Sequence, residues 1–142
     1  MIEQLSVFLE NKSGRLAELT RALGEAGINM RALMVADTEE FGVVRIVCDH
    51  PHLAREALEA AGFGVSATPV VGVEIPDRPG GLADVLEALA AEEMGVEYAY
   101  CFAELARNGA VDVLKIDDDA ADQVLRDRGF RVLEPSDLYE SD

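Results

Sequence analysis

One ten-residue pattern occurs twice in this chain of 142 residues. The stretches ENKSGRLAEL (10–19) and PDRPGGLADV (76–85) share a glycine, a leucine and an alanine, each 66 positions apart. Both stretches lie where an apolar run ends and a helical spacing of leucines begins. Such self-similarity predicts two copies of one supersecondary unit rather than a single larger fold.

Further landmarks repeat in the same order. AAGFGV (60–65) and DRGFRV (127–132) each end a helical pattern and begin a strand, 67 positions apart. VRIVCD (44–49) and VLKID (113–117) both place an aspartate before a second helix. Several landmarks in register indicate an internal duplication rather than chance similarity.

Hydrophobic periodicity gives both repeats the order β-α-β-β-α-β. In the first repeat we predict a strand at 4–11, a helix from Leu16 to Gly27, strands at 28–37 and 41–49, a helix from His52 to Gly62, and a strand at 63–68. In the second repeat we predict a strand at 70–75, a helix at 82–95, strands at 96–105 and 109–117, a helix at 121–129, and a strand at 130–134. This order predicts an α+β fold of two ferredoxin-like units in tandem, with antiparallel sheets and helices on one face.

The duplication also predicts the domain boundaries. The first domain covers residues 1–69 and the second covers 70–135, with Pro69 at the boundary. The remaining residues, 136–142, form an acidic tail that we expect to fray. Each repeat is small for a stable core, so we expect it to pack on its twin or on another chain.

Charge and hydropathy exclude several classes of protein. The chain has 12 Lys and Arg against 28 Asp and Glu, a formal net charge of −16. Phosphate backbones and anionic lipid surfaces repel such a chain, so we expect no nucleic-acid and no membrane partner. The apolar runs are shorter than the ~20 residues of a membrane span. The start of the chain alternates as a strand instead of forming an export signal, which predicts a cytoplasmic protein.

Candidates for catalysis and metal binding are weak. Cys48 and Cys101 form no C-x-x-C pair and lie among apolar residues, so we predict two buried structural thiols. DHPH (49–52) and DDDA (117–120) fit helix starts better than metal sites, because the ligand count and spacing fall short. No histidine accompanies a serine or cysteine in a nucleophile arrangement. We therefore expect no enzyme activity, no metal and no cofactor.

The repeated loop favours a small zwitterion. A short strand-to-helix loop gathers the free N–H groups of the helix N-terminus, which suit a carboxylate. Gly14 and Gly80 have no Cβ, so a ligand can approach the backbone closely. Asn11 and Asp77 occupy equivalent places at the strand end. Each is suited either to cap the helix or to accept a hydrogen bond from an ammonium group, and the spacing alone leaves both interpretations open.

The chain resembles the ACT domain family, whose small regulatory modules bind amino acids and other small ligands. The resemblance rests on the β-α-β-β-α-β order, on D-x-P-G-G-L at 77–82 and on G-I-N at 27–29, and it covers nearly the whole chain as two tandem copies. The second loop matches the family pattern. The first loop departs from it, since Asn11, Ser13 and Arg15 stand where the second has Asp77, Pro79 and Gly81.

The resemblance implies a ligand between paired modules, against the first loop and the start of the second strand. Carried over by position, it implicates Asn11, Ser13, Gly14, Arg15, Leu16, Asn29 and Met30 in the first copy, and Asp77, Pro79, Gly80, Gly81, Leu82, Glu97 and Tyr98 in the second. Met30 and Tyr98 then face an apolar or aromatic ligand side chain, although both residue types equally suit a core.

The resemblance therefore implies a non-catalytic regulatory or sensor protein that binds a free amino acid. We expect a homodimer, with a regulated enzyme in trans as a further partner. Two alternatives stay open: a structural dimerisation module, and a non-catalytic subunit of an amino-acid metabolic enzyme.

Overall fold

The structure is a computed structural model, and it describes residues 1–36, 41–104 and 109–142, with no side-chain description at positions 103 and 104. These residues form seven strands and five helices. Their order is β1 (Ile2–Glu10), α1 (Arg15–Glu25), β2 (Met30–Ala36), β3 (Phe41–Cys48), α2 (Pro51–Ala60), β4 (Gly64–Ile75), α3 (Gly81–Ala91), β5 (Val96–Glu104), β6 (Gly109–Ile116), α4 (Ala121–Asp127), β7 (Arg131–Val132) and α5 (Pro135–Leu138). The predicted ends of two strands, at Asp37 and Leu105, lie outside the described residues.

The chain divides into two compact units. The N-terminal unit comprises Glu3–Thr68 together with Pro135–Asp142, and the C-terminal unit comprises Pro69–Glu134 together with Met1–Ile2. The strands predicted at 63–68 and 70–75 are one continuous strand, β4, which contains Pro69. Proline is compatible with this strand because its fixed φ lies within the range of extended backbone.

In the N-terminal unit the strand order is β2-β3-β1-β4. β1 and β2 both pair antiparallel with β3, and Leu5 and Val7 lie opposite Ile46 and Val44. The alternating residues of β1 join buried residues of both helices in one core, for example Leu19 of α1. Burying one such leucine contributes about 1.5–3 kcal/mol, so the helices are held on the sheet face chiefly by apolar contact.

The C-terminal unit repeats this plan. β6 lies between β4 and β5, β7 pairs with β4, and these pairings are antiparallel. Its core combines alternate residues of β4, including Val71 and Val73, with Val85 and Leu89 of α3 and Leu125 of α4. The α+β fold of two tandem ferredoxin-like units is therefore confirmed.

The expectation that the tail frays is wrong. Tyr139 is only 6% exposed, and its hydroxyl accepts a hydrogen bond from the N–H of Glu3 at 3.0 Å. The Asp142 carboxylate accepts hydrogen bonds from the N–H groups of His52 and Leu53 at the start of α2, at 2.9 and 3.0 Å. These contacts join residues about ninety positions or more apart in the chain, so local composition gives no sign of them.

Candidate ligand-binding site

The two loop–helix junctions have the same backbone hydrogen bonds. In the first loop the N–H groups of Lys12, Arg15 and Glu18 donate to the carbonyls of Glu10, Lys12 and Gly14, at 2.8, 3.3 and 3.0 Å. In the second loop the N–H groups of Arg78, Gly81 and Asp84 donate to the carbonyls of Pro76, Arg78 and Gly80, at 2.9, 3.1 and 3.0 Å. Each bond has its counterpart exactly 66 positions away. The duplicated sequence therefore builds duplicated geometry.

Glycine occupies the position before each helix in a left-handed conformation. Gly14 has φ 89° and Gly80 has φ 85°. This region favours glycine because a Cβ crowds the backbone there. The first N–H groups of a helix lack intrahelical partners, and a glycine supplies no side chain to cap them. Both helix N-termini are thus formed without a capping side chain from this position.

The polar residues at the strand ends do not cap these helices. Within the described chain, the side chains of Asn11 and Asp77 form no hydrogen bond, and both residues are exposed. By contrast, the Asp118 carboxylate accepts a hydrogen bond from the N–H of Ala120 before α4, at 2.9 Å. Of the two interpretations left open by the sequence, helix capping by Asn11 or Asp77 therefore has no hydrogen bond to support it in the described chain.

The loops differ in their other side chains. Arg15 is held by Glu18, with Nη1 to Oε2 at 2.6 Å, and its guanidinium lies 4.4 Å from the centre of the Phe63 ring. The guanidinium of Arg15, which stands where the second loop has Gly81, is therefore engaged by residues of its own unit. Ser13 and Leu16 beside it are exposed.

In the second loop, position 81 requires a glycine because the backbone of Pro76 lies close to it. A Cβ built on Gly81 would lie 2.5 Å from the carbonyl oxygen of Pro76, so no other residue fits without backbone movement. Arg78 bridges the loop to α3 by donating from Nη2 to the Asp84 carboxylate at 2.9 Å and from Nη1 to the carbonyl of Pro79 at 3.1 Å. Gly80 and Leu82 are exposed, whereas Gly81 is buried.

The candidate residues at the second-strand starts occupy different environments. Asn29 is exposed, and its carbonyl accepts a hydrogen bond from the N–H of Asp49 at 3.0 Å. Met30 is half-buried and packs against the core of the N-terminal unit. Glu97 is exposed and lines an acidic cleft with Glu93, Met94, Gly95, Val96, Ile116, Asp117 and Asp118, and Tyr98 is half-buried.

Both second strands carry an irregularity at the same place. The register of β2 with β3 shifts between Met30 and Ala32, and that of β5 with β6 shifts between Val96 and Tyr98. Bulges of this kind redirect a side chain and are common beside binding sites. Sequence reasoning placed residues here only by resemblance and did not detect the bulges, because pairing register is a long-range property.

One polar residue of the C-terminal unit, Asp112, was missed, and the environment of Cys101 opposite it was predicted wrongly. Asp112 of β6 is 1% exposed, and its Oδ2 atom is buried with no hydrogen-bond partner among the described residues. Burial raises the pKa of this carboxyl, and a hydrogen bond with the Cys101 thiol opposes that rise. Cys101 lies opposite Asp112 on β5 and is exposed, so the prediction that it is buried is wrong. The sequence signal for Asp112 was a single aspartate in the apolar strand GAVDVLKI, at a position that faces the core.

The segment DHPH (49–52) lies at the start of α2, where His50 occupies the N-cap position and Pro51 is the first helical residue. Cys48, which precedes it, is buried as predicted, and burial raises the pKa of its thiol to about 12. His50 and His52 lie near Glu140 and Glu3, at 3.5 and 3.2 Å between nitrogen and oxygen. In the described part of the chain, no group of three or more His, Cys, Asp or Glu side chains is placed to hold a metal ion.

None of the described helices has both the length and the apolar character needed to cross a bilayer.

Comparison with known proteins identifies relatives of this arrangement. The sequence profile of the family described as ACT domain pair matches residues 1–140. A protein from Bacteroides thetaiotaomicron of known crystal structure is 42% identical over 96% of this chain and 94% of its own, with a TM-score of 0.91. The regulatory subunits of aspartate kinase from Thermus thermophilus and Thermus flavus share the fold at 20% and 21% identity, over 87% of this chain and 88% of theirs, with TM-scores of 0.65 and 0.66. No significant match was found among curated proteins.

Proposed function

Because this chain belongs to the ACT domain pair family, we propose that it is a non-catalytic regulatory protein that binds a free amino acid. The observation that carries the proposal is the pair of glycine-started helices with matching backbone hydrogen bonds and no capping side chain. A helix N-terminus of this kind attracts a carboxylate through its free N–H groups and its dipole. An exposed polar oxygen beside it, from Asn11 or Asp77, complements an ammonium group.

The proposed binding groups follow from this geometry. The ligand carboxylate accepts hydrogen bonds from N–H groups of the loop and the first helical turn that do not already donate to backbone carbonyls, which excludes those of Arg15 and Gly81. The ammonium group donates to the polar residue at the strand end. The first site consists of Asn11, Ser13, Gly14, Arg15, Leu16, Asn29 and Met30, and the second consists of Asp77, Pro79, Gly80, Gly81, Leu82, Glu97 and Tyr98. Since Arg15 is already paired with Glu18 and Pro79 lacks an N–H donor, we expect the two sites to differ in affinity.

A second copy of the chain is the proposed partner at the sheet edge. β2 is an edge strand of the N-terminal unit, and β5 is an edge strand of the C-terminal unit. Leu33 and Val35 of β2 remain 41% and 45% exposed, although they alternate on the strand face that carries the core. An edge strand with exposed apolar side chains is suited to pairing with another chain. A homodimer through this edge would place a neighbouring module against the loop.

Regulation is proposed to act in trans. Two proteins of the same fold are named as regulatory subunits of aspartate kinase, and we extend the regulatory role, without that target, to this chain. Amino-acid binding would shift the affinity for the target by ordering one of two conformations of the assembly. We place this activity in the cytoplasm, where the free thiols Cys48 and Cys101 remain reduced.

The test is calorimetric titration of the full chain with each of the twenty amino acids. We expect at least one to bind, and we expect Gly80→Val and Gly14→Val to abolish binding at their own sites. Gly129→Val and Gly62→Val are matched controls, since these glycines have φ 88° and 92° in the same two units and lie away from the loops. Heat from none of the twenty, or equal loss in the controls, contradicts ligand sensing and favours a structural dimerisation module.

A further inference from the structure

Asp112 is a buried carboxylate whose position the fold does not explain. It lies on β6 opposite Val73, between Ala110 and Leu114 on the strand face that forms the core of the C-terminal unit. One of its oxygens is buried with no hydrogen-bond partner in the described chain. A buried carboxylate with one unpaired oxygen is unfavourable even when a thiol bonds the other, so its presence at an apolar position calls for a further partner that is absent from the described chain.

The carboxylate is close to solvent on one side. β5 is the edge strand next to β6, and its Cys101, directly opposite Asp112, is exposed. Partial burial and the neighbouring Asp112 carboxylate raise the pKa of the Cys101 thiol. Val73, which lies opposite Asp112, is two residues before Ile75, where β4 ends, and the second loop follows at Pro76. Asp112 and Cys101 therefore lie near the end of β4 from which the second loop begins.

The first repeat shows that folding alone needs no polar pair here. Val35 and Val44 lie opposite each other at the corresponding positions of β2 and β3. Val44 is fully buried and Val35 is exposed, as Asp112 and Cys101 are in their unit. Valine thus fills this place in an otherwise equivalent core. The aspartate and cysteine are specific to the second repeat.

We propose that the C-terminal unit binds an amino acid whose side chain carries an ammonium group, and that Asp112 receives this group beside Cys101. The inference rests on the proposed function, because the second loop then holds the ligand's α-carboxylate and Asp77 its α-ammonium. A cation supplies the hydrogen-bond donors that the buried oxygen lacks and stabilises its ionised form. The N-terminal unit, with valines at both positions, takes a ligand without a side-chain charge.

Calorimetry with L-lysine and L-norleucine tests the inference, since the two differ in the side-chain ammonium. We expect the C-terminal site of the full chain to prefer lysine at least tenfold. Asp112→Asn should weaken lysine binding about tenfold or more, because a charge-assisted hydrogen bond is lost, and should leave norleucine binding unchanged. Equal effects on both ligands, or no effect on lysine, overturn the inference.

Asp112→Val, which reproduces the residue of the first repeat, separates binding from stability. We expect its melting temperature to equal or exceed that of the parent, since a buried carboxylate with one unpaired oxygen is removed, while lysine preference is lost. Unfolding of both Asp112 variants would assign the carboxylate a structural role and overturn the inference.

Alkylation gives an independent readout. Lysine should slow the reaction of Cys101 with iodoacetamide and norleucine should not, with buried Cys48 as the reference thiol in the same mass spectrum. Equal protection by both ligands, or protection by neither, contradicts the Asp112 subsite.

If norleucine and lysine bind alike and Gly80→Val abolishes both, the inference fails while the proposed function stands. If no amino acid binds the parent chain, the proposed function itself fails.

Discussion

Arg31 and Asp49 form a two-point ion pair in which Nε lies 3.0 Å from Oδ1 and Nη2 lies 2.8 Å from Oδ2. The same Oδ1 accepts a hydrogen bond from the N–H of Glu140 at 2.8 Å. One carboxylate therefore joins the second strand of the N-terminal unit to the C-terminal tail. Its hydrogen bond with Arg31 holds the pKa of Asp49 below the usual value of an aspartate, although burial acts in the opposite direction.

Replacing Asp49 should destabilise the N-terminal unit. Asp49→Ala removes acceptors for the Arg31 guanidinium and for the N–H of Glu140, and we expect a loss of about 1–3 kcal/mol in the free energy of unfolding. Urea denaturation measures it. Glu59→Ala is the matched control, because its ion pair with Arg55 is exposed on a helix and should contribute about 0.5 kcal/mol or less. Equal losses in the two variants would contradict a special role for Asp49.

Stability should fall in acid through these carboxyl groups. Burial raises the pKa of Asp142, but hydrogen bonds from the N–H groups of His52 and Leu53 outweigh it, so the net pKa lies below the usual 3.8, as it does for Asp49. A depressed pKa in the folded state gives stability that is present above the unfolded pKa and is lost as pH falls through the folded value. Melting temperatures should therefore drop below about pH 4. The drop should be smaller in Asp49→Asn with Asp142→Asn than in the parent, and an identical acid profile would contradict this assignment.

The tail should be required for the stability of the N-terminal unit. Removing residues 135–142 exposes the core around Tyr139 and uncovers the N-terminus of α2, and we expect a loss of about 3 kcal/mol or more. Tyr139→Phe isolates the hydroxyl and should cost about 1 kcal/mol, since the N–H of Glu3 loses its acceptor. Denaturant titration of both variants measures these losses, and an unchanged midpoint in the truncated chain would mean that the tail does not pack.

Gly81 should tolerate no side chain. A Cβ at this position would lie 2.5 Å from the carbonyl oxygen of Pro76, so Gly81→Ala forces the loop to move, at an expected cost of about 1–3 kcal/mol. Gly95→Ala is the control, because a Cβ there meets no atom within 4 Å. Thermal denaturation should separate the two variants, and equal midpoints would show that the loop adapts without strain.

The two thiols should differ in reactivity. At pH 8, Ellman's reagent should modify exposed Cys101 first, whereas Cys48 is 1% exposed with a pKa of about 12 and should react only on unfolding. Asp112→Asn should accelerate the Cys101 reaction, since removing the neighbouring carboxylate charge lowers the pKa of the thiol. A fast phase that persists in Cys101→Ser would assign the reactivity to Cys48 and contradict its burial.

The repeat made most of the fold predictable. Glycines such as Gly27 and Gly129 mark helix ends in both copies, and each has a positive φ in the structure. Their positions follow from local backbone preference, which a sequence displays directly. The continuous strand β4 was divided in the prediction because Pro69 resembles a boundary when only local signals are considered.

Features that depend on distant residues were not predictable. The tail packs through Tyr139 and Asp142, whose partners lie about ninety positions or more away in the sequence. Cys101 faces Asp112 because of strand register, and alternation along a single strand does not reveal the partner. The loop glycines, by contrast, were identified from their spacing in the repeat. Whether Asn11 and Asp77 cap the helices could be assessed only from the structure.

Amino-acid binding at the duplicated loops is tested most directly by a crystal structure of the full chain purified after exposure to a cell extract. We predict density for a small zwitterion beside Gly80, with its carboxylate at the N–H groups of α3 and its ammonium group at Asp77. Protein atoms of a second copy packed over the N–H groups at both Gly14 and Gly80, with no ligand density, would contradict it.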